Sequence, residues 1–223
     1  MGIKLQLSRR SIMPPETLVK PLFFLILFVC TGPAFGTPVP CVNGDLTSAQ
    51  MAQNDAKGTL TSVVNFLNGN DQKSQQLVLR WFGKNDQNTV ATVVSVLSRT
   101  SNWVANVSLY CLYQNDGTLT DPGTAPDGSI ILTDTSGDLY AYVDPGDLTK
   151  INLGLRFFNA PAVGMNSKLG AIIHEVTHFF LTGNTDDIKY GKSDCLQLAQ
   201  QDPNSALKNA DNYEYFVEEW MAQ

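Results

Sequence analysis

The only two histidines of this 223-residue chain lie four positions apart and enclose a glutamate. They form the stretch His174-Glu-Val-Thr-His178 within an otherwise apolar segment. Residues i and i+4 of a helix share a face, so both imidazoles can present a nitrogen to one point. Glu175 lies about 100° round the helix from His174, near enough to reach a water on an ion held there. The motif predicts a zinc centre of the peptidase kind, with Glu175 as the catalytic base.

Catalytic zinc needs a third protein ligand and one open coordination position. The chain has no third histidine, so this ligand must be a carboxylate or Cys195. Spacing does not choose among the carboxylates, and an arrangement like that of thermolysin would use Glu214 or Glu218. The downstream candidates are Asp186, Asp187, Asp194, Asp202, Asp211, Glu214, Glu218 and Glu219.

A helix over residues 166–181 is predicted to position the histidine pair. Apolar residues recur along it at helical spacing, and Asn166 or Ser167 caps its N-terminus. A last helical region follows Pro203 and runs to the C-terminus.

The rest of the chain divides into an early helical part and a middle part of short strands. Helical periodicity covers residues 46–67, 75–82 and 89–105, the first as one or two helices. Strand-like patterns cover 107–113, 130–133, 139–143 and 150–157, with a loop at 115–129. Helices, then a short sheet, then helices predict an α+β fold.

The N-terminus has the features of a secretory signal peptide. Residues 1–20 are basic, 21–30 are apolar, and a small-x-small end leads to Gly36. The apolar run is too short for a membrane span, which needs about 20 residues. We expect cleavage after Gly36, with 37–223 as a single domain, and Met13 is an alternative start.

The net charge of −6 argues against nucleic acid as a partner and is compatible with basic protein substrates. We expect no stable membrane association and a secreted monomer.

Cys30 leaves with the signal, so Cys41, Cys111 and Cys195 remain, an odd number that allows one disulfide and one free thiol. Asn106 begins the only N-glycosylation sequon.

Three stretches of the chain resemble the aspzincin zinc metallopeptidases, of the deuterolysin and peptidyl-Lys metalloendopeptidase type. They are the histidine motif, residues 184–191 (NTDDIKYG) and residues 209–215 (NADNYEY). Residues 157–161 (FFNAP) also precede the helix as in that largely fungal, secreted family. The resemblance covers essentially the whole mature chain. It implies a small zincin-like fold with N-terminal helices, a short sheet, the HExxH helix and C-terminal helices.

The resemblance also implies roles for particular residues. Asp187 would be the third zinc ligand, completing one zinc site per chain, and Tyr190 would donate a hydrogen bond to the oxyanion. Cys41 and Cys111 would form a disulfide. Asp211 and Glu214 would receive the ammonium of a lysine after the scissile bond. The alternative for Asp211 is a supporting role that holds a helix or a zinc ligand in place.

The chain departs from the family pattern at three positions. Asn184 replaces a glycine, and it is the best substitute if that position needs a left-handed backbone. The family's second disulfide would join positions that are here Tyr113 and Gly154, so Cys195 is expected to be a buried, inert thiol.

Two functions are compatible with these residues. The first is a secreted zinc endopeptidase that hydrolyses peptide bonds, with a preference for Lys or basic residues after the scissile bond. The second is a non-catalytic, secreted zinc-binding, zinc-scavenging or effector protein on the same scaffold. Glu175, Asp187 and Tyr190 favour the enzyme, since zinc storage needs neither a base nor an oxyanion donor.

Overall fold

Three helices form the first part of the described chain, and their ends follow local capping signals. The computed structural model describes residues 38–113, 117–119, 123–124, 130–131, 140–144 and 147–223. Helix α1 spans Asn43–Asn68, α2 spans Gln72–Phe82 and α3 spans Gln87–Val104. The carboxylates of Asp71 and Asp86 cap α2 and α3, and Gly83, with φ 71°, ends α2. These three predicted helices are confirmed, and the first is continuous.

The core face of α1 is made mostly of small residues. Ala49, Ala52 and Ala56 are buried, followed by Leu60 and Val63 on the same face. Because alanine lets backbones approach closely, α1 packs along α3 and also reaches the histidine-bearing helix. The amphipathic pattern therefore brings the N-terminal helices against the site.

One strand before these helices and three strands after them form a four-stranded mixed sheet. The strands are β1 (Pro38–Pro40), β2 (Ser108–Leu112), β5 (Ala141–Tyr142) and β6 (Lys150–Leu153), and a separate pair joins β3 (Gly123–Thr124) to β4 (Ile130–Ile131). The central β2 and β6 are parallel, while β1 and β5 pair antiparallel at the edges. The Cys41–Cys111 disulfide joins the chain after β1 to β2, as predicted.

Five helices make up the C-terminal part. They are α4 (Leu155–Asn159), α5 (Lys168–Thr177), α6 (Lys192–Gln201), α7 (Pro203–Ala206) and α8 (Ala210–Met221). Aromatic contacts hold α8 against α2: Phe82 lies 4.9 Å from Tyr213 and 5.6 Å from Phe216 between ring centroids. This packing fixes the helix that carries the acidic residues of the site.

Several predicted boundaries were wrong. The strand predicted over 150–157 ends at Leu153, and α4 begins at Leu155 because Phe157 turns into the core, where it is fully buried. The helix predicted to reach Leu181 ends at Thr177. There the Thr182 hydroxyl donates to the carbonyls of Val176 and Thr177, and the Gly183 N–H donates to the Thr177 carbonyl, so the chain folds back.

The C-terminal helical region is divided, and α6 was not predicted at all. The break before α8 lies where the backbone at Asn209 pairs with Asp186, so the chain must leave the helical conformation there. Predictions for residues 1–36, for most of the loop at 115–129 and for residues 132, 133 and 139 lie outside the described residues. Within the described residues, β3 interrupts the predicted loop, and the strand predicted over 139–143 is limited to Ala141–Tyr142.

The described residues all belong to one compact unit with a mixed α and β content, which confirms the α+β prediction. No helix in the described part of the chain is long and apolar enough to cross a membrane.

Candidate active site

The two histidines meet one carboxylate at the C-terminal end of α5. His174 lies in the last turn of this helix, and His178 is the residue that caps it. Oδ1 of Asp187 is 3.0 Å from Nε2 of His174 and 3.4 Å from Nε2 of His178. Three nitrogen and oxygen atoms from two separate segments therefore converge on one point.

The other nitrogen of each imidazole has a partner within the protein. Nδ1 of His178 lies 2.9 Å from the carbonyl oxygen of Thr185. Nδ1 of His174 lies 2.7 Å from Oδ1 of Asp211 and 3.4 Å from Oε2 of Glu214. With Nδ1–H donating to these oxygens, each ring can offer the Nε2 lone pair to a metal ion on the side of Asp187. Despite burial, the hydrogen bonds to Asp187 raise the pKa of both histidines in the metal-free protein.

This donor set fits zinc. The ligand atoms of His174, His178 and Asp187 all lie within 4.8 Å of one another. Tetrahedral zinc with ligands at ~2.0–2.2 Å separates the ligand atoms by ~3.3–3.6 Å, close to the 3.0 and 3.4 Å distances to Asp187. Two imidazoles and one carboxylate also leave a position for water or substrate, as catalytic zinc requires.

The segment between His178 and Asp187 is a tight turn. Thr185 donates its backbone N–H to the Thr177 carbonyl, and the two threonine hydroxyls lie 2.8 Å apart. Asn184 has φ 48°, so the left-handed backbone expected at this position is present, and asparagine adopts it. At Gly183, a Cβ would lie 2.7 Å from the Thr177 carbonyl oxygen, so this position has no room for a side chain.

Glu175 and Tyr190 lie beside the convergent ligands. Glu175 is buried, and burial raises the pKa of its carboxyl above the usual value. The ring of Tyr190 is stacked over His174 at 6.3 Å between centroids, and it is half exposed. Burial and the charge of Asp187 raise the pKa of Tyr190, so its hydroxyl remains a hydrogen-bond donor. The two side chains therefore have the protonation properties that a base and a hydrogen-bond donor require.

Asp211 and Glu214 lie on the far side of His174, in the first turns of α8. Oδ1 of Asp211 faces His174, and its Oδ2 accepts the backbone N–H of Gly191 at 2.7 Å. Glu214 is buried, and burial raises the pKa of its carboxyl. Within the described part of the chain, the ion pairs of these two acids involve only His174.

Asp211 and Glu214 form a second cluster with His174, on its Nδ1 side, whereas two further candidates, Glu218 and Cys195, have other partners. Glu218 accepts hydrogen bonds from the amides of Asn166 and Ser167 at the N-terminus of α5, so it is a cap of the histidine-bearing helix. Cys195 is free and buried, and its Sγ lies 3.5 Å from the Lys189 carbonyl oxygen. Burial raises the pKa of this thiol, which agrees with the expected inert cysteine.

Sequence reasoning did not assign roles to Asn209, Gly170 or Glu218 as supports of the site. Asn209 is fully buried and bonds the segment that carries Asp187. Gly170 leaves room for the carboxylates of Glu214 and Glu218 against α5. No local pattern marks these residues, because their partners lie in distant parts of the chain.

An α+β fold with a histidine pair, an intervening glutamate and a downstream aspartate is the architecture of a zinc peptidase. A model of the aspzincin M35 family, described as lysine-specific metallo-endopeptidase, matches residues 67–218. A peptidyl-Lys metalloendopeptidase of Pleurotus ostreatus is 31% identical over 182 residues, which are 82% of this chain and 96% of that protein.

Two further proteins are similar to this chain. An extracellular protease of Aeromonas hydrophila is 46% identical over 79 residues, or 35% of this chain and 23% of that protein. The solved structure of a zinc peptidase from Grifola frondosa superposes with a TM-score of 0.65 at 26% identity, covering 82% of this chain and 99% of that one. The chain belongs to the aspzincin M35 family and is a zinc metalloendopeptidase that acts on protein or peptide substrates.

Proposed function

We propose that this protein is a secreted zinc endopeptidase that cleaves on the N-terminal side of lysine and other basic residues. The observation that carries the proposal is the pair of buried acids, Asp211 and Glu214, directly behind the metal-facing His174. The relatives named as peptidyl-Lys metalloendopeptidases support the same preference.

His174, His178 and Asp187 would hold one zinc ion per chain. Bound there, zinc would polarise the scissile carbonyl and lower the pKa of an attacking water. Nδ1 of each histidine is held by Asp211 or by the Thr185 carbonyl, so the rings keep their orientation when a substrate arrives.

Glu175 is the proposed base. Its carboxylate accepts a proton from the attacking water and returns it to the leaving amine, so one group serves both halves of the hydrolysis. Burial raises its pKa, which makes it a stronger base than an exposed glutamate. The Tyr190 hydroxyl donates a hydrogen bond to the oxyanion of the tetrahedral intermediate, where negative charge develops.

The basic preference follows from the charge around Glu214. A buried carboxylate without a cation is costly, and the raised pKa of Glu214 reflects that cost. The two oxygens of Asp211 contact His174 and the Gly191 amide, whereas Glu214, within the described part of the chain, makes the longer 3.4 Å contact to His174. A substrate ammonium would offset the charge of Glu214 best, with Asp211 adding to the negative potential.

We also propose that residues 1–36 are a signal peptide and that 37–223 form the mature, monomeric enzyme. The basic and apolar N-terminal pattern, the Cys41–Cys111 disulfide and an extracellular protease among the relatives support secretion. Asn106 is exposed just after α3, so its sequon is accessible to glycosylation.

The test is mass-spectrometric mapping of the cuts that the purified enzyme makes in a denatured protein. Glu175→Gln, Glu214→Gln and Glu219→Gln are compared with the wild type. Glu219 is the matched control, because it lies on the same helix but pairs with Arg80 at the surface. We expect cuts before lysine in the wild type and the control, none in Glu175→Gln, and a weaker lysine preference in Glu214→Gln. Scattered wild-type cuts would overturn the basic preference, and cutting by Glu175→Gln would overturn the assigned base.

A further inference from the structure

The loop that carries Asp187 has little packing of its own. Residues 186–190 are all exposed, so no buried side chain among them anchors the loop to the core. A metal ligand on such a segment would move unless hydrogen bonds fixed the backbone, and mobile ligands weaken metal binding.

The side chain of Asn209, the residue just before α8, makes three hydrogen bonds to this backbone. Its Oδ1 accepts the backbone N–H groups of Ile188 at 2.8 Å and Lys189 at 2.9 Å. Its Nδ2 donates to the Lys189 carbonyl at 2.9 Å and to Oδ1 of Asn212 at 2.7 Å. The side-chain amide is fully buried, and these contacts use both its donor and its acceptor sides.

The backbone on either side of Asn209 extends the same pairing. Asp186 donates its N–H to the Lys208 carbonyl at 2.7 Å and accepts the N–H of Ala210 at 3.1 Å. Further along, Oδ2 of Asp211 accepts the Gly191 N–H at 2.7 Å. The segment 208–211 therefore holds the chain from 186 to 191 on both sides of Asp187 and Tyr190.

We propose that Asn209 is a positioning residue of the metal centre. Its buried side-chain amide pairs with the loop backbone as a neighbouring strand would, and so fixes the positions of Asp187 and Tyr190. The inference rests on the proposed role of Asp187 as a zinc ligand. Among the described residues, the side-chain hydrogen bonds of Asn209 go to the backbone of Ile188 and Lys189, to Cys195 and to Asn212, so they reach the metal-binding loop through its backbone. Replacing Asn209 should therefore weaken zinc binding more than a substitution elsewhere in the core that destabilises the fold by the same amount.

Asn212 provides a matched control. It is also a fully buried asparagine, and its Nδ2 donates to the carbonyls of Trp81 and Cys195. It shares a hydrogen bond with Asn209, but within the described part of the chain its side chain makes no hydrogen bond to the backbone of residues 186–191. Asn212→Ala thus removes a comparable buried amide without releasing the loop directly.

The experiment measures zinc affinity of the purified secreted protein by competition with a chromophoric chelator. Unfolding of the metal-free protein and the visible spectrum of the cobalt-substituted protein are recorded alongside. We expect Asn209→Ala to weaken zinc binding by about 10–100-fold and to alter the cobalt spectrum. The zinc affinity of Asn212→Ala should stay within about 3-fold of the wild type, even if its unfolding temperature falls as much as that of Asn209→Ala.

Two results would overturn the positioning role: zinc affinity of Asn209→Ala within about 3-fold of the wild type, or an equal loss in Asn212→Ala. A wild type that binds no zinc would instead overturn the metal-site assignment itself. Should the variants fail to fold, hydrogen exchange of the metal-free wild type decides. Protection of the Ile188 and Lys189 amides by at least about 10-fold supports the role, and exchange at free-peptide rates overturns it.

Discussion

Asp211 and His174 form a 2.7 Å contact between Oδ1 and Nδ1 that joins the start of α8 to the end of α5. The second oxygen of Asp211 holds the Gly191 amide at 2.7 Å. One carboxylate therefore supports a histidine and the turn that follows Tyr190. This arrangement agrees with a supporting role for Asp211 and leaves Glu214 as the freer acid for a basic substrate side chain.

Asp211→Asn should weaken zinc binding. The variant keeps the shape of the side chain but removes the charge that orients and polarises His174, and loss of such a partner typically costs about 10–100-fold in metal affinity. Chelator competition measures the effect. Asp194→Asn, an exposed acid on α6, is the control and should bind zinc like the wild type. Equal affinities of all three proteins would contradict the supporting role.

Glu175→Gln should abolish peptide hydrolysis while leaving zinc bound. Glutamine has nearly the same shape but cannot accept the proton from the attacking water, so turnover should fall by about 10²–10⁴-fold. Steady-state kinetics on a fluorogenic peptide and metal analysis of the same sample check both parts. Loss of zinc together with activity would indicate that Glu175 acts on the ligands instead.

Tyr190→Phe should lower kcat by about 10²-fold with little change in KM. The hydroxyl donates to charge that exists only in the transition state, so its loss leaves substrate binding intact. The half-exposed ring packs over His174, and phenylalanine retains that contact. A rise in KM at constant kcat would show that Tyr190 binds substrate rather than stabilising the oxyanion.

Gly170→Ala should destabilise the protein by about 1–3 kcal/mol, the usual cost of overpacking. An added Cβ would meet Oε1 of Glu218 and would lie 2.9 Å from Oε1 of Glu214. Gly58→Ala on α1 is the control, because nothing lies within 4 Å of its Cβ position. That exchange should stabilise by about 0.5–1 kcal/mol through helix propensity. Chemical denaturation measures both, and a neutral Gly170→Ala would contradict the close packing.

The metal-free protein should lose stability as pH rises from about 4.5 to about 7. Burial, and then the charge of Glu214, raises the pKa of Glu218 from 4.5 to about 7. The folded state then binds more protons than the unfolded state within this window, so the unfolding free energy falls with pH, by roughly 1.4 kcal/mol per pH unit at most. Glu218→Gln should flatten the slope measured by denaturant titration. Parallel slopes would show that other groups control the pH dependence.

The helices of the N-terminal half and the catalytic motif could be predicted from the sequence because their signals are local. The apolar face of α1 repeats within single turns, and Asp71 and Asp86 mark the starts of α2 and α3. The element ends were less predictable. Thr182 and Gly183 end α5 at Thr177 by donating hydrogen bonds to the carbonyls of its last turn. No short-range sequence pattern predicts that the chain folds back there.

The sequence by itself determined the chemistry of the motif: two imidazoles one turn apart with a glutamate between them, since helical geometry alone places them together. Spacing left the third ligand open, and the family resemblance implied Asp187. Only the tertiary structure brings Oδ1 of Asp187 to both Nε2 atoms, places Asp211 against His174 and lets Asn209 bond the loop of Asp187. The physical reason is distance along the chain. These contacts join α5, an exposed loop and α8, and only the packing of α8 against α2 and α5 brings them within hydrogen-bonding range.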